Sequence, residues 1–328
     1  MPPKIREMTQ KPAHPQNMQG YPRRFTLMLA GEDVLDEQGS NQARQGLPHE
    51  RFLLGDKVPL APVLLLSQSS QHVDPNLEIA CLQPVHLHAT RDHLILMGQN
   101  QIGLTEAEST QLLNAALPLL TEDFGHELLF HNQCYWFIPA GPFSKLASYS
   151  VEQAHGRNVD WWMPHDIDEQ GVAKRWRKLQ NEIQMLWHID SVNETRQENG
   201  LPSINSIWIS GIGKLSDVQA PLAVTQAKHI FGQHPLLSGL AKVCDIPFNA
   251  NASIEQFTNA FAWVNNPEIL WPQLITQLLN NQLDELLIID FPGGKIRERI
   301  FTMRDIQKKS WMFWKKPRIL SWDDLIQS

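Results

Sequence analysis

The sequence predicts an α/β fold carrying an inserted α+β unit, and three observations predict it. Short apolar runs alternate with longer amphipathic stretches along the chain. The middle of the chain carries its own hairpin and helix-start signals, unlike the segments on either side. Hydrophobic residues make up 42% and charged residues 19%, which excludes wholesale disorder, and 328 residues suffice for one large core or two modest ones.

Residues 1–22 hold five prolines and few apolar side chains, and read as a mobile tail. Phe25 to Ala30 is the first strand-like run, ending at Gly31. Residues 37–59 read as polar loop around a short apolar stretch at Phe52. Pro62 to Ser67 is a second apolar run, compatible with a buried strand. Leu82 to Ala89 and His93 to Met97 read as strands, and a helix then starts at Thr105, whose capping-box partner is Glu108. Leu112, Leu113, Ala116, Leu117 and Leu120 form its apolar face. Leu128 to Phe130 and Cys134 to Ile138 suggest a hairpin around Asn132. The longest helix spans 172–188, with Val172, Trp176, Leu179, Ile183, Leu186 and Trp187 in one stripe. Asn205 to Ser210 is a strand that stops at Gly211; Leu222 to Ile230 and His234 to Val243 read as strand, then helix. Glu285 to Asp290 and Ile296 to Met303 read as strands joined through Pro292, Gly293 and Gly294. Residues 23–78 and 204–328 are therefore expected to form the core, with 79–203 as the inserted subdomain and its connecting helix.

Charge and cysteine usage narrow the function. Net charge is −7, yet the segment from Lys295 to Arg318 carries +7 and everything else −14. An acidic body argues against nucleic acid as a partner, while the basic segment suits an anionic one. Cys81, Cys134 and Cys244 are too far apart and too few for a disulfide framework or a Cys-x-x-Cys metal site. No apolar run approaches the roughly 18–20 residues that span a bilayer, and the N-terminus lacks a secretory pattern, so no membrane insertion is expected and the cytoplasm is the expected location.

Candidate sites each stand beside a plainer reading. His86 and His88 share a strand face near His93 and suit a transition metal, or a polar strand face. Arg157, Asn158 and Asp160 follow Gly156 and suit an anion, or a local Arg157–Asp160 pair. Gln180, Asn181 and Gln184 flank the core stripe of the long helix, and Asn193 and Arg196 share one helical turn; each suits a ligand or a structural tether. Gly211 and Gly213 follow a strand, but without a third glycine they are no dinucleotide fingerprint. Gly293, Gly294 and Lys295 lack the rest of a P-loop. Trp311 and Trp314 between paired lysines suit a terminal strand better than a membrane or single-stranded nucleic acid.

Pro84 to His86 with Asp92 and His93, Leu104 to Ser109, Gly156 to Asp160, Leu179 to Leu186, Val192, Asn193, Arg196, Gly200 to Pro202, Asn205, Ser206, and Ser210 to Gly213 together resemble the RpfE-type regulatory proteins of proteobacteria, whose members are often labelled cofactor-independent phosphoglycerate mutase. The resemblance covers residues 79–216 closely and the ends loosely. Val192 to Gly213 and Gly239 to Val243 are more distantly similar to the archaeal type of that mutase. It implies an alkaline-phosphatase-like α/β fold with an inserted domain, a serine or threonine nucleophile, and two divalent metals, manganese or zinc.

This sequence departs from that chemistry. Ala30 and Gly31 precede Glu32 and Asp33 where the family has an Asp-Gly pair, Phe291 follows Asp290 where a metal-binding histidine is expected, and no histidine lies beyond His234. Ser67, Ser69 and Ser70 fall in a plausible region without a recognisable nucleophile setting. A two-metal phosphate-transfer centre needs many hard oxygen and imidazole ligands. The expectation is thus a non-catalytic regulatory protein without cofactor, binding a small anionic ligand or a protein partner through Arg157, Asn158, Asp160, Gln180, Gln184, Asn193, Arg196, Gly211 and Gly213. The alternatives are a metal-dependent mutase or phosphotransferase with ligands rebuilt from Asp33, Asp36, His86, His88 and Asp290, and an interaction module using the basic C-terminal segment.

Overall fold

The structure is a computed structural model in which residues 22–33, 44–251, 253, 256–308 and 318–327 are described. The chain opens with β1 (Arg24–Met28) and the helices α1 (Pro48–Leu54) and α2 (Leu60–Gln68). A second lobe follows: β2 (Ile79–Ala89), β3 (Leu94–Met97), α3 (Gln99–Ile102), α4 (Glu106–Phe124), β4 (Phe130–His131), β5 (Trp136–Pro139), β6 (Leu146–Ala147), α5 (Val151–Ala154), β7 (His165–Asp166), α6 (Val172–His188), α7 (Ser191–Glu198) and β8 (Ser206–Gly213). The return adds α8 (Leu222–Thr225), β9 (His229–Phe231), α9 (Pro235–Cys244), β10 (Phe248–Asn249), β11 (Ala260–Trp263), α10 (Pro267–Leu279), β12 (Glu285–Asp290) and β13 (Arg297–Phe301). The last elements are α11 (Met303–Ile306), β14 (Gln307–Lys308), β15 (Arg318–Ile319) and α12 (Trp322–Gln327).

The first sheet has the order β10-β9-β11-β1-β12-β13, parallel except for β13, so the expected α/β class with a parallel-rich sheet is what the chain forms. The second sheet is antiparallel, β3-β2-β5-β4, with β8 on the other side of β2. Period-two alternation sends each strand's side chains to two different cores. Phe25, Leu27, Leu286 and Ile288 pack on α10 and on Leu320 and Leu325 near the C-terminus. Met28, Leu287 and Ile289, on the opposite face, pack with α1, α2 and α9. Ile79, Cys81 and Phe137 of the second sheet join this same cluster, while Ala80, Leu82, Trp136 and Ile138 point away onto α4 and α6. The result is five layers, with α2 and α9 between the two sheets.

Local signals placed most elements. Thr105 accepts a hydrogen bond from Glu108 N while Glu108 accepts one from Thr105 N, closing the expected capping box of α4. Asn132 Oδ1 accepts hydrogen bonds from Cys134 N and Tyr135 N at the β4–β5 turn. The long helix α6 covers the expected span.

Four expectations need correction. The run from Pro62 to Ser67 is helical, not a strand: α2 is covered by apolar layers on both sides, and a helix pairs its own backbone there without edge partners. Within the stretch 37–59 read as loop around Phe52, Pro48 to Leu54 form the helix α1. Within Leu222 to Ile230 the strand is confined to β9, which starts at His229, because Leu222 to Thr225 form a helical turn. The second lobe runs past 203, since β8 pairs with β2 and not with the first sheet. The expected tail and the stretch containing Trp311 and Trp314 lie outside the described residues, apart from Pro22.

The helix layer depends on a close approach. A Cβ on Gly239 of α9 would fall on the Val63 carbonyl oxygen of α2. Gly239→Ala is therefore expected to lower stability by about 1–3 kcal/mol, read as a reduced urea midpoint with unchanged m-value; an unchanged midpoint would show that the helices do not meet here.

Candidate functional site

In open parallel sheets, ligands sit outside the carboxyl ends of the strands. There the loop after β1 brings Gly31 against Phe291, which follows β12; a Cβ on Gly31 would lie 2.5 Å from the Phe291 Cβ. Trp263 ends β11, and the rings of His49 (from α1) and His234 (from the loop after β9) pack on it with centroids 4.7 and 4.4 Å away. Phe291 lies 6.4 Å from His49 and 5.9 Å from Phe52. These rings close the strand ends. His49 Nδ1 is 3.1 Å from both Gly31 N and Gly31 O, and His234 Nδ1 accepts a hydrogen bond from Leu236 N as the cap of α9. Burial lowers both imidazoles to about 4, so each is neutral at physiological pH.

Beside this plug the lobes are latched together. Glu50 is buried in α1; its Oε2 accepts hydrogen bonds from Leu47 N at 2.6 Å and from Ser150 Oγ at 3.3 Å. Ser150 caps α5, and Gln153 of the same turn donates to Asp33 Oδ2 and to the carbonyls of Arg44 and Gly46. Arg51 pairs with Asp33 at 3.0 Å and donates to Gly46 O. Burial, reinforced by Glu152, pushes the Glu50 carboxyl up to about 8. Glu152 keeps open surface, yet crowding by the protein around it raises its carboxyl as well.

Between the lobes lies a cleft of about 680 Å³, lined by residues of both. Arg44, Arg51, Asp56 and Lys57 come from the first lobe, and Ser144, Lys145 and His165 from the second. Lys57 is neutralised by Asp217 at 2.6 Å, and Arg51 by Asp33. Arg44 and Lys145 have no ion-pair partner among the described residues.

The residues singled out from the sequence do not converge. Gln180 donates to Ser206 Oγ and Ile207 O, tying α6 to β8. Asn193 bridges Trp187 O, Ile204 O and Ile204 N. Arg196 is 1% exposed and joins Pro202 O, Glu108 and Ile102 O, linking α3, α4 and α7. These three are tethers. Gln184 is exposed on α6. Arg157 lies over the Trp162 ring at 5.2 Å and is not paired with Asp160; Asn158 accepts from Asp160 N. Gly211 and Gly213 are required by packing, since a Cβ would meet Ala61 N at 2.7 Å or Pro59 Cβ at 2.6 Å.

The alternative ligand set does not fit a two-metal centre. Asp290 is held by Arg297 at 2.6 Å and Arg299 at 2.7 Å, and Asp33 is held by Arg51 and Gln153. His86 and His88 sit in the second sheet with rings 5.8 Å apart, and His86 Nδ1 is engaged by Ser203 O. Asp36 lies outside the described residues. Among the described residues no three histidine, cysteine or carboxylate side chains group as a metal site.

The latch and the plug were missed from the sequence. Ser150 with Gln153 three residues on, and Pro48 with Glu50, are helix-start patterns that could have placed α5 and α1. No sequence signal joins His49 and His234 across Trp263.

The chain matches no family model and no curated protein. Among solved structures it is similar to the cofactor-independent phosphoglycerate mutase from Thermoplasma acidophilum DSM 1728, at 11% identity and TM-score 0.35 over 85% of this chain and 89% of that one. It is also similar to the PH0037 protein from Pyrococcus horikoshii, at 10% identity and TM-score 0.41 over 87% and 90%. At these values neither likeness carries an argument. No helix among the described residues is long and apolar enough to cross a membrane.

The buried groups set a pH dependence. His49 and His234 bind fewer protons folded than unfolded between about 4 and their ordinary 6.5, so stability rises with pH across that window. Glu50 binds more protons folded than unfolded between its ordinary 4.5 and about 8, so its contribution falls across that range. The two histidines outweigh it below 6.5, and above that the decline of about 1.4 kcal/mol per pH unit comes from Glu50, with the raised Glu152 carboxyl acting in the same direction. The melting temperature should peak near pH 6.5 and decline toward 8, and Glu50→Gln should flatten the alkaline limb; an equally steep limb in the variant refutes the assignment.

Proposed function

We propose that the protein is a non-catalytic binding protein on a mutase-like scaffold, regulatory as its motif resemblance implies, and that a small anion occupies the interlobe cleft. The observation that carries this is the pair Arg44 and Lys145, supplied by different lobes to one cleft of about 680 Å³ and without ion-pair partners among the described residues. A cleft that places cations on both walls favours an anion over a neutral ligand. The strand ends support the non-catalytic part. Asp33 and Asp290 are paired with arginines, the His49 and His234 imidazoles are neutral and packed on Trp263, and Glu50 carries a proton at neutral pH. None of these groups is available as a hard anionic ligand for two cations. The reading through the basic C-terminal segment rests in part on residues 309–317, which lie outside the described ones, while Arg297 and Arg299 of that segment are paired with Asp290.

Calorimetric titration with inorganic phosphate and with 3-phosphoglycerate tests this reading. Saturable binding is expected, weakened about tenfold by Lys145→Ala and further by adding Arg44→Ala, as loss of one charge-assisted contact implies. Incubation with manganese or zinc should yield no interconversion of 2- and 3-phosphoglycerate. Turnover that depends on either metal, or phosphate affinity untouched by both substitutions, overturns the proposal.

A further inference from the structure

A second cavity, of about 350 Å³, lies at the opposite edge of the parallel sheet, where β1 and β11 begin under α8. That volume is within the range of small-molecule sites. One part of its wall is apolar: Pro22, Ala223, Ala227 and Ala260, with Leu222 standing 72% exposed beside them. Arg24, Thr26, Gln226, Lys228 and Asn259 supply the polar part. Thr26 is 3% exposed as a residue, and it lines this cavity with a hydroxyl that makes no hydrogen bond to any described residue. That hydroxyl is free to donate to a molecule in the cavity. Lys228 lines the same cavity without an ion-pair partner among the described residues, whereas Arg24 is pinned to Glu285 at 2.6 Å.

We infer that this cavity is a binding site for a small monocarboxylate with an aromatic or branched apolar body. The apolar part of the wall covers the body, the Thr26 hydroxyl donates to an acceptor on it, and Lys228 pairs with the carboxylate. Leu222 closes over the ligand, which accounts for a large apolar side chain left open at the margin. The site is separate from the interlobe cleft and stands whether or not an anion binds there. A neutral ligand of the same shape leaves Lys228 uncompensated, so acid and amide are discriminated.

The test uses 4-phenylbutyrate and its amide, titrated calorimetrically into the full chain. The acid is expected to bind with a dissociation constant below about 1 mM, a modest demand for a ligand of this size. The amide should bind at least about tenfold more weakly, and Lys228→Glu should weaken the acid by a similar factor. Thr26→Val keeps the shape of the strand residue and removes the hydroxyl; a loss of about threefold or more is expected. Ala223→Trp fills the cavity from a partly exposed position and should abolish binding, with circular dichroism verifying that each variant folds. No saturable heat up to about 10 mM acid, equal affinity for acid and amide, or unchanged affinity in Lys228→Glu and Ala223→Trp overturns the inference.

Discussion

The structure depends on one packing constraint: α2 must fit between α9 and the second sheet. Its apolar residues meet the first sheet's Met28 and Ile289 cluster on one side and Ile79, Cys81 and Phe137 on the other. One continuous core therefore spans both lobes, and neither sheet can bury its inner face without that helix layer. Gly239 lets α9 approach α2 on one side, and Gly211 and Gly213 let β8 approach Leu60, Ala61 and Pro59 on the other. Small residues at these crossings set the spacing of the whole molecule, because close-packed interiors do not absorb an added methyl without a shift.

That spacing decides what the strand ends can do. With the lobes drawn together, α5 reaches the 44–51 segment, and Gln153 and Ser150 take up Asp33, the Arg44 and Gly46 carbonyls and Glu50. At the carboxyl edge Asp33 and Asp290 are neutralised by arginine, Glu50 is protonated, and His49 and His234 are stacked on Trp263. Burial penalises each charged form in the same way, and the edge of the sheet becomes a latch between lobes. Arg44 and Lys145, which have no carboxylate partner among the described residues, line the cleft between the lobes.

Several local signals were read correctly, although the helix starts at Pro48 and Ser150 were not. The capping box of Thr105 and Glu108, the amphipathic stripe of α6, the Asn132 turn and the β12–β13 hairpin all formed as expected. The candidate site was poorly legible. Gln180, Asn193 and Arg196 are buried polar side chains, and sequence cannot say whether a buried amide or guanidinium meets a ligand or the backbone. Here each met the backbone. Arg44, Lys145, Glu50 and His234 carried no motif, since their meaning comes from neighbours far away in the chain.

By itself the sequence determined the α/β class, the caps and turns that start and stop its elements, and the shortage of histidine in its last third. Those are properties of composition and of neighbours within a few residues. Only the tertiary structure decided that Pro62 to Ser67 is a helix, that β8 belongs to the second sheet, and which charges are silenced. An apolar run satisfies either secondary structure, and the ionisation of a side chain follows the desolvation and partners that packing imposes, so neither is written in local order.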